Sequence, residues 1–333
     1  MNLLDRPPWQ RRAVTVPAVF ATAVLLSVAV PLWLPIATVV DLARLRRRLP
    51  LVRLLAFAVC WAWIESVSIT ATFALWLSGQ AGRRRVHSRL QAWWARTVLS
   101  ALDATCGLRI EVEGLDAFDG GAAILLVRHA SLADSLVSAY VTTNLCHLAP
   151  RYVLKRELLI DPCLDIVGNR IPNHFLDRAA PDAGPELAAL TELTRGLGPS
   201  QIAVIFPEGT RANDRKRTQI LTAVAARDPE RAERLATLRH LLPPRAGGAA
   251  ALLDGAAHAD VVLAWHIGFE GLDTFGGVLR ALRTGLRPVR FVARRVAGRD
   301  VPRGADFGGW LDEQWVRMDA EVDAALRAQQ KGI

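Results

Sequence analysis

Ala122-Ala123-Ile124-Leu125-Leu126-Val127-Arg128-His129-Ala130-Ser131-Leu132-Ala133-Asp134 is the most informative segment for the fold class. Its first six residues are a continuous apolar run, the pattern of a strand buried on both faces. The run stops at Arg128, and Ser131 with Asp134 reads as the N-cap and first turn of a helix expected to extend to Asn144. A buried strand that passes at once into a helix is the repeating unit of an α/β fold. His129 then sits at the C-terminal end of the strand, where open α/β sheets bind ligands. Asp134, one turn into the helix, is placed to reach back to a ring nitrogen of His129 and fix its tautomer. The other nitrogen is then ready to take a proton from a hydroxyl. Ser131 and Asp134 also have the spacing of a capping box, so this pair does not decide the chemistry by itself.

Working outward, Leu108 to Gly114 alternates like a half-buried strand, and Gln201 to Phe206 is a second buried run, stopped by Pro207-Glu208-Gly209. Val261 to Ile267 and Val289 to Val296 read as further strands. Asp228-Pro229 opens a helix with a capping residue and proline at its first position, and Leu235, Leu238 and Leu242 supply its apolar stripe. Leu311, Trp315, Met318, Val322 and Leu326 recur at helical spacing near the end. Strands alternating with helices, without repeats or low-complexity linkers, predict an α/β fold with a single mixed sheet covered by helices over residues 100–333.

Residues 1–99 differ in kind. Ala13 to Val40 carries no charge, and Leu54 to Gly82 carries only Glu65. Each is long enough for a hydrocarbon core of about 30 Å, so a two-helix membrane segment is expected ahead of the sheet. No small-residue cleavage site follows the first segment before the Arg44 to Arg48 cluster, which argues against a secretion signal. Arginines flank both segments at 6, 11 and 12, at 44 and 46–48, and at 83–85. A spanning hairpin would put the middle cluster outside, against the positive-inside tendency. A re-entrant or interface-lying pair keeps all three clusters on cytosolic headgroups, and both arrangements are open at this stage. Pro17, Pro31 and Pro35 should kink or break the first helix.

The 333 residues are 51% hydrophobic and 22% charged, with a formal charge of +9, and all but three of the 41 basic residues are arginine. That composition excludes a disordered chain and points to a polyanionic partner. The apolar segments make that partner an anionic membrane surface rather than nucleic acid, for which no recognition signature is present. Cys60, Cys106, Cys146 and Cys163 are scattered without CxxC pairing, so neither a zinc site nor a disulfide scaffold is expected.

The sharper chemical signal is Phe206-Pro207-Glu208-Gly209-Thr210-Arg211, at the end of the second buried run. It offers a turn with exposed amides, a carboxylate and a guanidinium at a sheet mouth, a set able to grip a phosphate and a polyol. An ordinary turn with a salt bridge has the same ingredients. Together with His129-x4-Asp134, this string resembles the glycerophospholipid acyltransferases, the lysophosphatidate acyltransferases and their relatives, over about Leu102 to Leu326. A given six-residue string arises by chance in a chain of this length roughly once in a hundred thousand. The resemblance implies a glycerol-phosphate acyltransferase-like fold with His129 and Asp134 as the catalytic pair. Lys155-Arg156-Glu157-Leu158 and Phe175-Leu176-Asp177-Arg178 look like the family's second motif, with Lys155 and Arg178 on the acceptor phosphate. Glu208, Gly209, Thr210 and Arg211 would sit on the glycerol phosphate side. Leu238 to Gly248, Val292-Ala293-Arg294-Arg295 and Trp310 to Trp315 resemble the branch that contains the lysocardiolipin acyltransferases and some lysophosphatidate enzymes.

The implied reaction moves an acyl group from acyl-CoA or acyl carrier protein, as substrate, to the free hydroxyl of a lysophospholipid, at the cytoplasmic face of the cell membrane. His129 would be the general base, without an acyl-enzyme, cofactor or metal. Three positions depart from the family pattern: Arg128 where Asn is usual, Leu132 where an aromatic is usual, and Trp265-His266-Ile267-Gly268-Phe269 in place of a proline-rich fourth motif. His266, in an apolar stripe, reads as a core residue. A thioester hydrolase, with water as the acceptor, is the competing enzyme reading.

Overall fold

The computed structural model describes residues 3–131, 133–178, 180, 182–272 and 274–331. In chain order the helices and strands are α1 (Pro8–Val28), α2 (Val30–Ala43), α3 (Pro50–Leu77), α4 (Arg84–Cys106), β1 (Ile110–Glu113), β2 (Ala123–Val127), α5 (Asp134–Tyr140), β3 (Ala149–Lys155), α6 (Pro162–Val167), β4 (His174–Leu176), α7 (Gly184–Thr194), β5 (Gln201–Ile205), α8 (Asp214–Ala225), α9 (Pro229–Leu235), α10 (Ala246–Gly255), β6 (Asp260–Ile267), α11 (Phe275–Thr284), β7 (Val289–Val296) and α12 (Asp306–Lys331). The strands form one mixed sheet in the order β1-β7-β6-β2-β5-β3-β4. The expected α/β class and single mixed sheet are therefore present. β2 runs parallel to both neighbours, β5 and β6, and β6 pairs antiparallel with β7.

The chain divides into two compact units. The first takes Met1–Arg109, Leu154–Arg178 and Gly271–Pro288. Its first apolar stretch is not one helix. α1 ends at Val28 and α2 begins at Val30, with Pro31 among the first residues of the new helix. Proline cannot donate to the preceding turn, so the break falls just ahead of it. α3 starts after Leu49 in the left-handed region without a cap from its own side chain. Asp41 of α2 serves instead, its Oδ2 accepting from Leu51 N (2.8 Å) and Val52 N (3.3 Å). α1 and α3 are long and apolar enough to cross a membrane; α2 is apolar but shorter.

The second unit takes Ile110–Val153, Ala179–Glu270 and Val289–Ile333. Its core is the central strands, with Ile124, Leu125, Leu126, Ile202 and Val261 fully buried, together with Leu252, Leu311 and Trp315 from the helices. The expected terminal helix is α12. Three expectations need correction. The helix after His129 starts at Asp134, not Ser131, and passes through a π-turn at Val141–Leu145. α9 keeps its Asp228 cap, whose side chain accepts from Arg231 N, but ends at Leu235. Leu238 and Leu242 are buried in the irregular segment beyond it, which is pinned by its backbone amides and not by helical periodicity.

Candidate active site

Three adjacent parallel strands, β5, β2 and β6, deliver the polar cluster of the second unit from their C-terminal ends. β2 stops at Val127, with Arg128 N still donating to Ala264 O of β6 (3.0 Å), and His129 follows outside the ladder. Asp134, in the first turn of α5, is almost fully buried. Its Oδ2 lies 2.9 Å from His129 Nδ1 and accepts from Ala130 N at 2.7 Å. Ser131 N reaches both carboxylate oxygens at 2.9 Å, and Ser131 Oγ donates to Oδ1. The carboxylate thus organises its own approach loop as well as the imidazole. His129 Nε2 makes no hydrogen bond among the described residues and is left for a ligand.

Burial alone would raise the Asp134 pKa. The two neighbouring imidazoles, His266 foremost, and the hydrogen bond with His129 outweigh it and hold the carboxyl well below the usual carboxylate range. Asp134 is therefore ionised whenever His129 is able to act as a base. His266 Nε2 stands 3.1 Å from Asp134 Oδ1, close enough for an ion pair but outside hydrogen-bond alignment. The sequence pattern marked His266 as core; it is fully buried, but against the Asp134 carboxylate.

The turn after β5 wraps the same histidine. Glu208 was expected on the glycerol phosphate side, and in the structure its carboxylate faces inward. It is fully buried, Oε1 accepts from His129 N (2.7 Å), and Oε2 accepts from Leu242 N (2.9 Å). Burial dominates the amide bonds, which work in the opposite direction, and pushes its pKa up to about 8. A carboxyl with both oxygens turned inward on backbone amides acts as a strut for the chain around His129. Gly209 adopts φ +68, which favours glycine, and its amide closes the turn on Phe206 O (2.9 Å). Thr210 Oγ1 accepts from Lys216 Nζ (2.8 Å), and Ala212 N donates to His129 O (2.8 Å). Phe206 lies against the imidazole, with ring centroids 4.9 Å apart.

Arg211 lies half-buried on this turn, and two cations join it that sequence reasoning did not select: Lys216, and Arg245, whose guanidinium packs over Gly209. Lys155 closes β3 and Arg178 follows β4 as an exposed residue; both belong to the first unit. Arg128 does not aim at the imidazole. Its Nη1 donates to His266 O and lies 3.3 Å from Glu270 Oε1. Leu132, the other departure beside His129, lies outside the described residues.

Residues 109–263 match the family model described as Acyltransferase. All eight expected site residues fall inside that segment, and His266 lies just beyond it. No curated protein matches the chain. Among solved structures, the crystal structure of the 1-acyl-sn-glycerophosphate (LPA) acyltransferase PlsC from Thermotoga maritima is similar at 16% identity, over 79% of this chain and 96% of that one, with a TM-score of 0.43. Over residues 109–263 the chain is thus similar to the acyltransferase family, as the two motifs implied, and that match supports an acyl-transferring enzyme.

Proposed function

We propose that the protein is a membrane-attached 1-acylglycerol-3-phosphate O-acyltransferase that makes phosphatidic acid from a lysophosphatidate and an acyl thioester, acyl-CoA or acyl carrier protein. The observation that carries this reading is His129, oriented by a buried ionised Asp134 and holding Nε2 unbonded at the mouth of the parallel strands. A hydroxyl is a weak nucleophile near neutral pH, and a base at that nitrogen removes its proton as it attacks. The hydroxyl oxygen bonds to the thioester carbonyl carbon while the proton passes to Nε2. The tetrahedral intermediate then expels the thiolate by breaking the C–S bond, and the imidazolium returns its proton to the thiolate or to water. The Ser131 hydroxyl donates to Asp134, which supports direct transfer without an acyl-enzyme. Arg211, Lys216 and Arg245 supply positive charge for the acceptor phosphate, with Lys155 and Arg178 assigned to it by the family resemblance.

In this reading the apolar helices of the first unit lie in one leaflet of the cell membrane, with the catalytic domain on the cytoplasmic face. Support comes from that unit alone. Arg11 and Arg12, at the start of α1, grip Asp165 of α6. Arg170 donates to Ala81 O just beyond α3. At the other end of α3, the Arg48 guanidinium packs against Gly285, which caps α11. Both ends of the hairpin are thus held by segments that follow it in the chain.

The test is a product scan with detergent-purified full-length protein, acyl-CoA and a panel of lysophospholipids. Lysophosphatidate should gain a chain, and His129→Ala should lower kcat by about 10²- to 10⁴-fold without lowering Tm. Product only from lysocardiolipin or another lysolipid would move the enzyme to phospholipid remodelling, the reading that the Leu238 to Gly248 resemblance favours. Free fatty acid without diacyl product would make it a hydrolase. Full activity of His129→Ala would remove the general base.

A further inference from the structure

Asp134 is a single carboxylate with an imidazole on each side. His129 meets Oδ2 through Nδ1 at 2.9 Å, and His266 meets Oδ1 through Nε2 at 3.1 Å. His266 is fully buried on β6, and neither of its ring nitrogens has another partner among the described residues. It cannot touch a substrate from there, and its Phe291 and Phe269 neighbours offer nothing polar in place of Asp134. Asp134 needs no further help with orientation, because Ala130 N and both Ser131 donors already fix it. What His266 adds is a second titratable ring on the same charge.

We propose that His266 is a positioning residue for acyl transfer, sharing the Asp134 carboxylate with His129 and so setting the pH at which His129 is free to accept a proton. The inference rests on His129 being the base. A proton on either ring draws on the one negative charge between them, so the second ring protonates less readily than the first. The other ionisable groups of this neighbourhood are fixed in place. Arg128, at the end of β2, holds the His266 carbonyl and lies beside Glu270 after β6. Glu208, after β5, is turned onto the His129 and Leu242 amides. When His266 takes a proton, Asp134 is less available to an imidazolium at His129, and His129 stays neutral to lower pH. Removing that competitor makes His129 hold a proton to higher pH, where it can no longer act as a base.

The experiment is the pH profile of kcat/KM for the full-length enzyme in detergent, comparing wild type, His266→Gln and His266→Phe between about pH 5 and 9. His266→Gln keeps a polar group beside Oδ1 without titrating; His266→Phe fills the space without either property. Both should move the acid limb upward by at least about half a pH unit, with KM for the acyl donor within about twofold of wild type. A purely structural His266 would lower kcat by the same factor at every pH, and coincident midpoints in all three proteins would overturn the proposal. Should neither variant fold, wild-type enzyme still gives an answer. The rate of His129 carbethoxylation by diethyl pyrocarbonate, read at that residue by mass spectrometry, should titrate in two steps, and one step would overturn sharing. His129→Ala keeps the two ideas apart. Activity without His129 defeats the general base, whereas an inactive His129→Ala beside unmoved His266 profiles defeats only the sharing.

Discussion

Glu208 holds His129, the proposed general base, by its backbone while lying in a place where its own charge is unwelcome. Its pKa is pushed up to about 8 in the folded protein, from an ordinary 4.5. Between those values the folded state keeps a proton that the unfolded chain has released. Stability from this group is therefore greatest at low pH and declines as pH rises from about 4.5 towards 8. Glu208→Gln removes the titration and keeps one acceptor. Tm of wild type should fall relative to Glu208→Gln across that window and then level off, and parallel Tm curves would show that Glu208 is ionised in the fold. Glu208→Ala should cost more at every pH, because two buried N–H groups then lose their acceptor at about 1–3 kcal/mol each. The contrast with His266 shows how far a sequence carries at this scale. His129 with Asp134, and Phe206 to Arg211, were legible because their members are contiguous. His266 and Arg245 were not, because they reach the cluster through strand pairing and a close approach over Gly209 that no local pattern encodes. Glu208 was legible as a carboxylate at this turn but not as a strut, since six letters do not give the direction in which it turns.

At the scale of elements, the segment after α9 is held where it is by a helix that arrives much later in the chain. Asp319 of α12, nearly fully buried, accepts from Arg239 N (2.9 Å), His240 N (2.7 Å) and Leu241 N (2.7 Å). The next amide, Leu242 N, is the one that meets Glu208. One carboxylate on α12 is therefore tied, through a run of backbone, to the strut beneath His129. Asp319→Ala leaves three donors without an acceptor and should destabilise the second unit by on the order of 2–4 kcal/mol, with kcat falling in the same variant. Asp319→Asn, which keeps one acceptor oxygen, should lie between. An alanine variant with unchanged urea midpoint would show that the segment is held by Leu238, Leu241 and Leu242 burial alone. The central strands and α12 were legible because burial on both faces, or along one stripe, leaves an apolar signature. β3 was not, since Ala149–Lys155 mixes Pro150, Arg151 and Lys155 with its apolar residues. The over-long α9 came from reading a buried leucine series as a helix stripe when side-chain acceptors, not periodicity, fix the chain there.

At the scale of the whole molecule, the proposed membrane attachment turns on whether the N-terminal hairpin crosses the bilayer. α3 alone is 28 residues, about 42 Å at helical rise, more than a hydrocarbon core requires. Length therefore permits a span, and the sequence left both topologies open. The ion pairs and packing of the first unit favour the other arrangement. A crossing hairpin would need Asp165 and Ala81 on one side and Arg48 with Gly285 on the other. Residues 165 and 285 both follow the hairpin, and among the described helices beyond it none is long and apolar enough to return the chain across. An in-plane hairpin also removes the conflict with the positive-inside tendency, since every arginine cluster then faces the same anionic headgroups. Cysteine placed at Arg47, and separately at Arg84, reports the answer when the partly exposed Cys60 and Cys146 are replaced by alanine. In inverted membrane vesicles an impermeant maleimide should label both positions without detergent. Labelling of Arg84→Cys alone, with Arg47→Cys reactive only after solubilisation, would establish a true span. It would also require the Arg48–Gly285 packing to be absent in the membrane. Arg48→Glu adds an independent reading, because a headgroup-facing cluster should lose affinity for anionic but not zwitterionic vesicles on charge reversal, by roughly 1 kcal/mol per unit of charge removed.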